Sequence, residues 1–139
     1  MKGFYLKWLT VFIGILILAA SCRKDDPVLP SEPTLVNPWE QVTGDIYGFF
    51  LLNEGNMGTN QASLDYYDYE TGVYTRNIYG ERNPYEVKDL GDVGNDIQIY
   101  GDKLWAVINC SNYVEVMDVN TVKHITKIAI PNCRYLAFK

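Results

Sequence analysis

Residues 64–71 read Leu-Asp-Tyr-Tyr-Asp-Tyr-Glu-Thr, and residues 114–121 read Val-Glu-Val-Met-Asp-Val-Asn-Thr. Both runs close on Asp-x-x-Thr, and Asp68 and Asp118 stand about 50 residues apart. Ahead of each lies an apolar segment ending in Asn: Phe49–Asn53 before the first, Leu104–Asn109 before the second. Side chains along these runs alternate with a period of two, which is the period of a strand and not of a helix. In the second run Val114, Val116 and Asp118 fall on one face, and Glu115, Met117 and Val119 on the other. Each Asp is placed to cap its turn by accepting nearby backbone amides.

The other segments extend the pattern. Val73–Tyr79 reads as a strand continuing from the first turn. Asp96–Tyr100, Leu104–Asn109, Tyr113–Val119 and Val122–Ile130 read as four consecutive strands, the first innermost. Pro131 ends the last of them, because proline cannot donate to a ladder. Tyr135–Phe138 then reads as the inner strand of a further unit. A repeat of this length with four short strands per unit is the period of β-propeller blades. The expectation is therefore an all-β chain in which residues 46–139 form about two four-stranded blades. Two blades cannot close a ring, so the chain reads as the N-terminal piece of a longer propeller.

The N-terminus carries a separate signal. Lys2 and Lys7 precede an apolar run from Trp8 to Ala20. That run is about 13 residues, short of the roughly 20 that a bilayer span needs. Small residues Ala19, Ala20 and Ser21 follow, then Cys22. A positive start, a short apolar stretch and small residues describe a secretory leader over residues 1–21. The cysteine directly after them resembles a lipobox, which makes Cys22 the expected lipid attachment site. Arg23-Lys24-Asp25-Asp26 comes next, and Lys24, Asp25 and Asp26 resemble the surface-export signal of Bacteroidetes lipoproteins. Residues 22–45 then form a proline-rich tether that favours extended conformations. The expected location is the outer membrane, lipid-anchored and facing outward.

Charge and chemistry narrow the function. The formal net charge is −5, and removal of Lys2 and Lys7 with the leader makes it more negative. An acidic domain repels phosphate backbones, so nucleic acid is not an expected partner. A single histidine, His124, lies in an alternating run and reads as a surface strand residue. No nucleophile–base set and no zinc spacing is present, so neither an enzyme nor a metal or cofactor site is expected. Asp89, Asp92, Asn95 and Asp96 lack calcium-loop spacing and read as a solvated acidic loop. Cys110 and Cys133 are either a disulfide, which export permits, or two free thiols.

Several stretches resemble a known group. They are Phe49-Phe50-Leu51-Leu52-Asn53-Glu54-Gly55-Asn56-Met57-Gly58, Ala62–Asp68, Asn95–Leu104 and Arg134-Tyr135-Leu136. Together they resemble the start of the YncE-like (YVTN-type) propeller lipoproteins of Bacteroidetes. That resemblance covers residues 47–139 and implies about seven blades when complete. The group includes a surface propeller that binds cobalamin for an outer-membrane transporter. On this pattern the loops 53–62, 81–94, 109–112 and 131–134 share one face. The ligand-binding candidates there are Asn53, Glu54, Asn56, Arg82, Tyr85, Asn109 and Asn112. Uncharged amides and tyrosines suit a corrinoid or a glycan. The alternative is a scaffold or adhesion propeller with no small ligand.

Overall fold

Strand formation follows the alternation of apolar and β-branched residues. The computed structural model describes residues 32–35, 46–86 and 90–139. The leader, Cys22 and the Lys24–Asp26 segment lie outside the described residues. The elements are β1 (Thr34–Leu35), β2 (Gly48–Asn53), β3 (Ser63–Asp68), β4 (Val73–Thr75), α1 (Ile78–Arg82), β5 (Gly94–Tyr100), β6 (Lys103–Ile108), β7 (Tyr113–Asp118) and β8 (His124–Ala129). They make two antiparallel sheets. The first is ordered β1-β4-β3-β2, its outermost member being the two-residue β1, and the second β5-β6-β7-β8.

The two sheets repeat one register. Gly48 pairs with Asp68 and Phe50 with Tyr66 in the first. Lys103 pairs with Asp118 and Trp105 with Val116 in the second. The Asp-x-x-Thr turns repeat as well. Asp68 Oδ1 accepts the amide of Thr71 at 2.8 Å, and Asp118 Oδ1 accepts that of Thr121 at 2.8 Å. The next residue takes left-handed φ in both turns, 67° at Gly72 and 59° at Val122. Glycine accepts that conformation freely, whereas a β-branched valine is strained there. Val122 is 3% exposed and belongs to the core, whose packing holds it in place.

The sheets face each other across that core. Leu64, Phe50 and Leu52 project from the first sheet; Leu104, Ala106, Ile108 and Met117 project from the second. β2 ends where β5 begins: the Gly94 amide donates to Glu54 O at 3.1 Å.

The expected strand over Val73–Tyr79 stops at Thr75. The cause is local. Asp65, itself buried, accepts the Asn77 amide at 2.8 Å and the Tyr74 hydroxyl at 2.6 Å. Asn77 then adopts left-handed φ (46°) and caps α1 by accepting the Gly80 amide at 3.1 Å. The short helix wedges Ile78 and Tyr79 into the core. Tyr135–Phe138 likewise forms no strand, yet it lies along β5 in the same direction. Asp96 Oδ2 accepts the Leu136 amide at 2.8 Å, and the Tyr100 hydroxyl donates to Lys139 O at 3.3 Å. Phe138 stacks on Tyr100 with centroids 4.5 Å apart. Its partners are side chains, so no ladder forms.

Candidate functional site

Four loops are stitched into one end of the molecule. Both carboxylate oxygens of Asp92 accept the Gly58 amide, at 3.0 and 2.9 Å. The Ala62 amide donates to Gly91 O at 2.9 Å, and the Cys110 amide to Asp92 O at 3.1 Å. Ser111 Oγ accepts the Asp92 amide at 2.8 Å. The Ile130 amide reaches Asn112 O at 3.0 Å. Loops 53–62, 90–94, 109–112 and 130–133 therefore form one surface. The acidic loop is not simply solvated. Asp92 orders Gly58, and Asp96 accepts amides from Ile97 and Leu136.

The candidate residues divide. Asn53 Nδ2 donates to Ser63 Oγ at 3.1 Å, Asn109 Nδ2 to Cys133 O at 2.8 Å, and Asn112 Oδ1 accepts the Asn132 amide at 3.1 Å. Those amide groups hold the loops in shape. Glu54, Asn56 and Met57 are exposed at the rim.

Arg82 and Tyr85 are not on this surface. Asn83, next to Arg82, donates to Val122 O at 2.9 Å and accepts the His124 amide at 2.8 Å. Those partners belong to the β7–β8 turn, at the opposite end of the second sheet. The connection after β4 first runs to that end through α1 and only then returns to Leu90–Gly94. The expected placement of all of 81–94 on one face fails because α1 redirects the chain. Tyr85 is fully exposed beside this turn.

At that opposite end the sheets diverge and leave a cleft of about 920 Å³. Phe50, Tyr66, Ile97 and Leu104 form apolar walls, with Arg82 and Gln98 among the polar lining. Arg82 Nε lies 3.6 Å from Glu81, and both side chains are largely exposed.

A buried polar cluster lies between the sheets. Glu115 has no exposed surface. Its Oε1 lies 2.5 Å from His124 Nδ1 and accepts the Tyr79 hydroxyl at 3.3 Å, and its Oε2 is 3.7 Å from Lys127 Nζ. Burial, and then the Glu115 charge, push the Tyr79 hydroxyl well above its ordinary pKa. Burial and the same charge push Tyr113 up to about 12. The expected surface role of His124 is thus overturned: its ring is half-buried and paired. The signal was present in the sequence, since Glu115 shares a face with Met117 and Val119. Glu115 itself is enclosed, while His124 and Lys127 keep part of their side chains at the surface.

Cys110 and Cys133 are free thiols, exposed and half-buried respectively. Asn109 stands between them, its Oδ1 3.6 Å from Cys110 Sγ and its Nδ2 on Cys133 O.

No curated protein matches the chain. A family model described as a domain of unknown function, DUF5074, matches residues 47–137, which takes in both sheets from the start of β2. The chain belongs to the DUF5074 family.

Proposed function

We propose that this chain is a cell-surface lipoprotein whose two sheets are neighbouring blades of a β-propeller. Its stitched loop end is the ligand-facing surface. The observation that carries this reading is the repeat of register and turn between the sheets, with loops 53–62, 90–94, 109–112 and 130–133 tied together at one end. Repetition of one unit around an axis presents equivalent loops on a single face, which is where propellers bind. Cys22 anchors the protein and residues 22–45 space it from the membrane. The ligand is a corrinoid or another large polar molecule passed to an outer-membrane transporter. Glu54, Asn56 and Met57 meet it, while Asn53, Asn109 and Asn112 fix the loops.

Calorimetric titration of the full-length chain with cyanocobalamin tests the ligand. Saturable heat at micromolar protein is expected; its absence removes the corrinoid. A scaffold or adhesion role is the second reading. It is favoured by the amides of Asn53, Asn109 and Asn112 being engaged internally, which leaves a surface better suited to a broad partner.

A further inference from the structure

The two sheets meet at one end and part at the other. At the loop end a Cβ on Gly94 would lie 2.8 Å from Leu52 Cγ, so β5 and β2 touch there. Toward the Asp-x-x-Thr turns they splay around α1, which buries Ile78 and Tyr79. Asn83, directly after α1, is clasped to Val122 O and to the His124 amide, which fixes the helix against the second sheet. Both walls and the floor of the cleft come from residues between Gly48 and Val122. The cleft is thus a product of how the sheets are joined and not of either end of the chain.

The walls differ in kind. Phe50 and Tyr66, paired across β2 and β3, lie 4.9 Å apart between ring centroids and make one wall aromatic. Ile97 and Leu104 make the other aliphatic. Ile78 and Arg82 stand one helical turn apart on α1, so they share a face. Ile78 lays an apolar floor, and Arg82 sets a guanidinium at the mouth. Arg82 is the only cation among the residues lining the cleft, and Asp68 the only anion. The Asp68 carboxylate is engaged within its own turn by the Thr71 amide. Arg82 meets Glu81 through Nε at 3.6 Å, between largely exposed side chains, and such a pair is weak. Burial, then the Asp68 charge, raises the pKa of Tyr66, so its hydroxyl stays a neutral donor on the aromatic wall.

We propose that this cleft binds a small aromatic carboxylate, its rings between the Phe50–Tyr66 and Ile97–Leu104 walls and its carboxylate on Arg82. The volume of about 920 Å³ lies within the range of small-molecule sites, roughly 300–1,000 Å³. One aromatic and one aliphatic wall form a slot for a flat ring system. A planar guanidinium pairs with a carboxylate through two parallel hydrogen bonds, which favours that anion over a neutral group of the same shape. The site lies at the opposite end from the stitched loops, so it stands apart from the corrinoid reading.

Calorimetric titration of the full-length chain in detergent with naphthoate tests this, with naphthamide as the neutral counterpart. A blank titration into detergent alone is subtracted. Naphthoate is expected to saturate the protein with a dissociation constant on the order of 100 μM. It is expected to bind about fivefold more tightly than naphthamide. Arg82→Gln removes that difference and leaves naphthamide unchanged. Ile99→Trp, at an exposed position lining the cleft, fills it and abolishes binding of both compounds. Unchanged circular dichroism confirms that both variants keep the fold. No saturable heat from naphthoate overturns the proposal. So does equal affinity for the two compounds, a difference that survives Arg82→Gln, or binding untouched by Ile99→Trp.

Discussion

Glu115 on β7 and His124 on β8 meet diagonally, the register setting Glu115 opposite Lys127 and His124 opposite Met117, with Oε1 2.5 Å from Nδ1 and the carboxylate wholly enclosed. Taking one partner from a buried pair leaves the other without compensation, whereas replacing both by apolar groups is often tolerated. His124→Ala is therefore expected to lower stability by about 1–3 kcal/mol, since Tyr79 and Lys127 still meet the carboxylate. Replacing Glu115 and His124 together by Leu is expected to cost less than His124→Ala alone. Urea unfolding of the three proteins measures this; a double variant weaker than the single one refutes it.

Tyrosines set the alkaline limit of the fold. Tyr113 is pushed up to about 12 by burial and then the Glu115 charge, and Tyr74 to about 12 by burial and then its bond to Asp65. Tyr66 and Tyr79 are raised too. A raised folded pKa leaves stability intact below the unfolded value of about 10, and it is lost as pH climbs through the folded value. Urea midpoints are thus expected to be flat near pH 8 to 9 and to fall between about 10 and 12. Tyr113→Phe lowers the midpoint at neutral pH, because its 2.6 Å bond to Leu90 O is lost, yet it shallows the alkaline fall. An unchanged alkaline slope in this variant counts against the assignment.

Gly94 is where the sheets touch. A Cβ there lies 2.8 Å from Leu52 Cγ and 3.1 Å from Asn53 O. Gly94→Ala must push β2 from β5, at a cost of about 1–3 kcal/mol. Gly101, at φ 63°, has open space around it, so Gly101→Ala carries only the backbone penalty of about 1 kcal/mol. Thermal melts of both variants decide the order, which is expected to place Gly94→Ala lower.

The two thiols are free, and their surroundings differ. Iodoacetamide is expected to label Cys110 first and Cys133 more slowly, without prior reduction. Intact mass and peptide mapping read this directly. Failure to label either cysteine until reductant is added establishes a disulfide instead.

Much of the sheet structure was legible in the sequence, because β6 is a short continuous apolar run, β7 alternates and the Asp-x-x-Thr turns are local. Asp68 and Asp118 cap as their spacing implies. The short helix was hidden, since Ile78 and Tyr79 also suit a strand; what redirects the chain is Asp65, distant in sequence, gripping the Asn77 amide. That helix takes Arg82 and Tyr85 away from the loop end. The loop surface was legible in part: residues 53–62 and 109–112 do converge. Sequence does not reveal that the amides of Asn53, Asn109 and Asn112 are already bonded within the loops. The pairing of His124 is hidden for a related reason. Its own strand looks solvent-facing, and its partner lies one strand away on Glu115.

The position of β1 has a mechanical consequence. Any pull along the chain from its N-terminal side reaches the sheets first at Thr34 and Leu35, which pair only with Tyr74 and Val73 at the outer margin. Such a load unzips two residue pairs before it reaches the six-residue ladder between β2 and β3. Tension therefore peels off the outermost strand while the core, the loop end and the buried Glu115 cluster keep their shape.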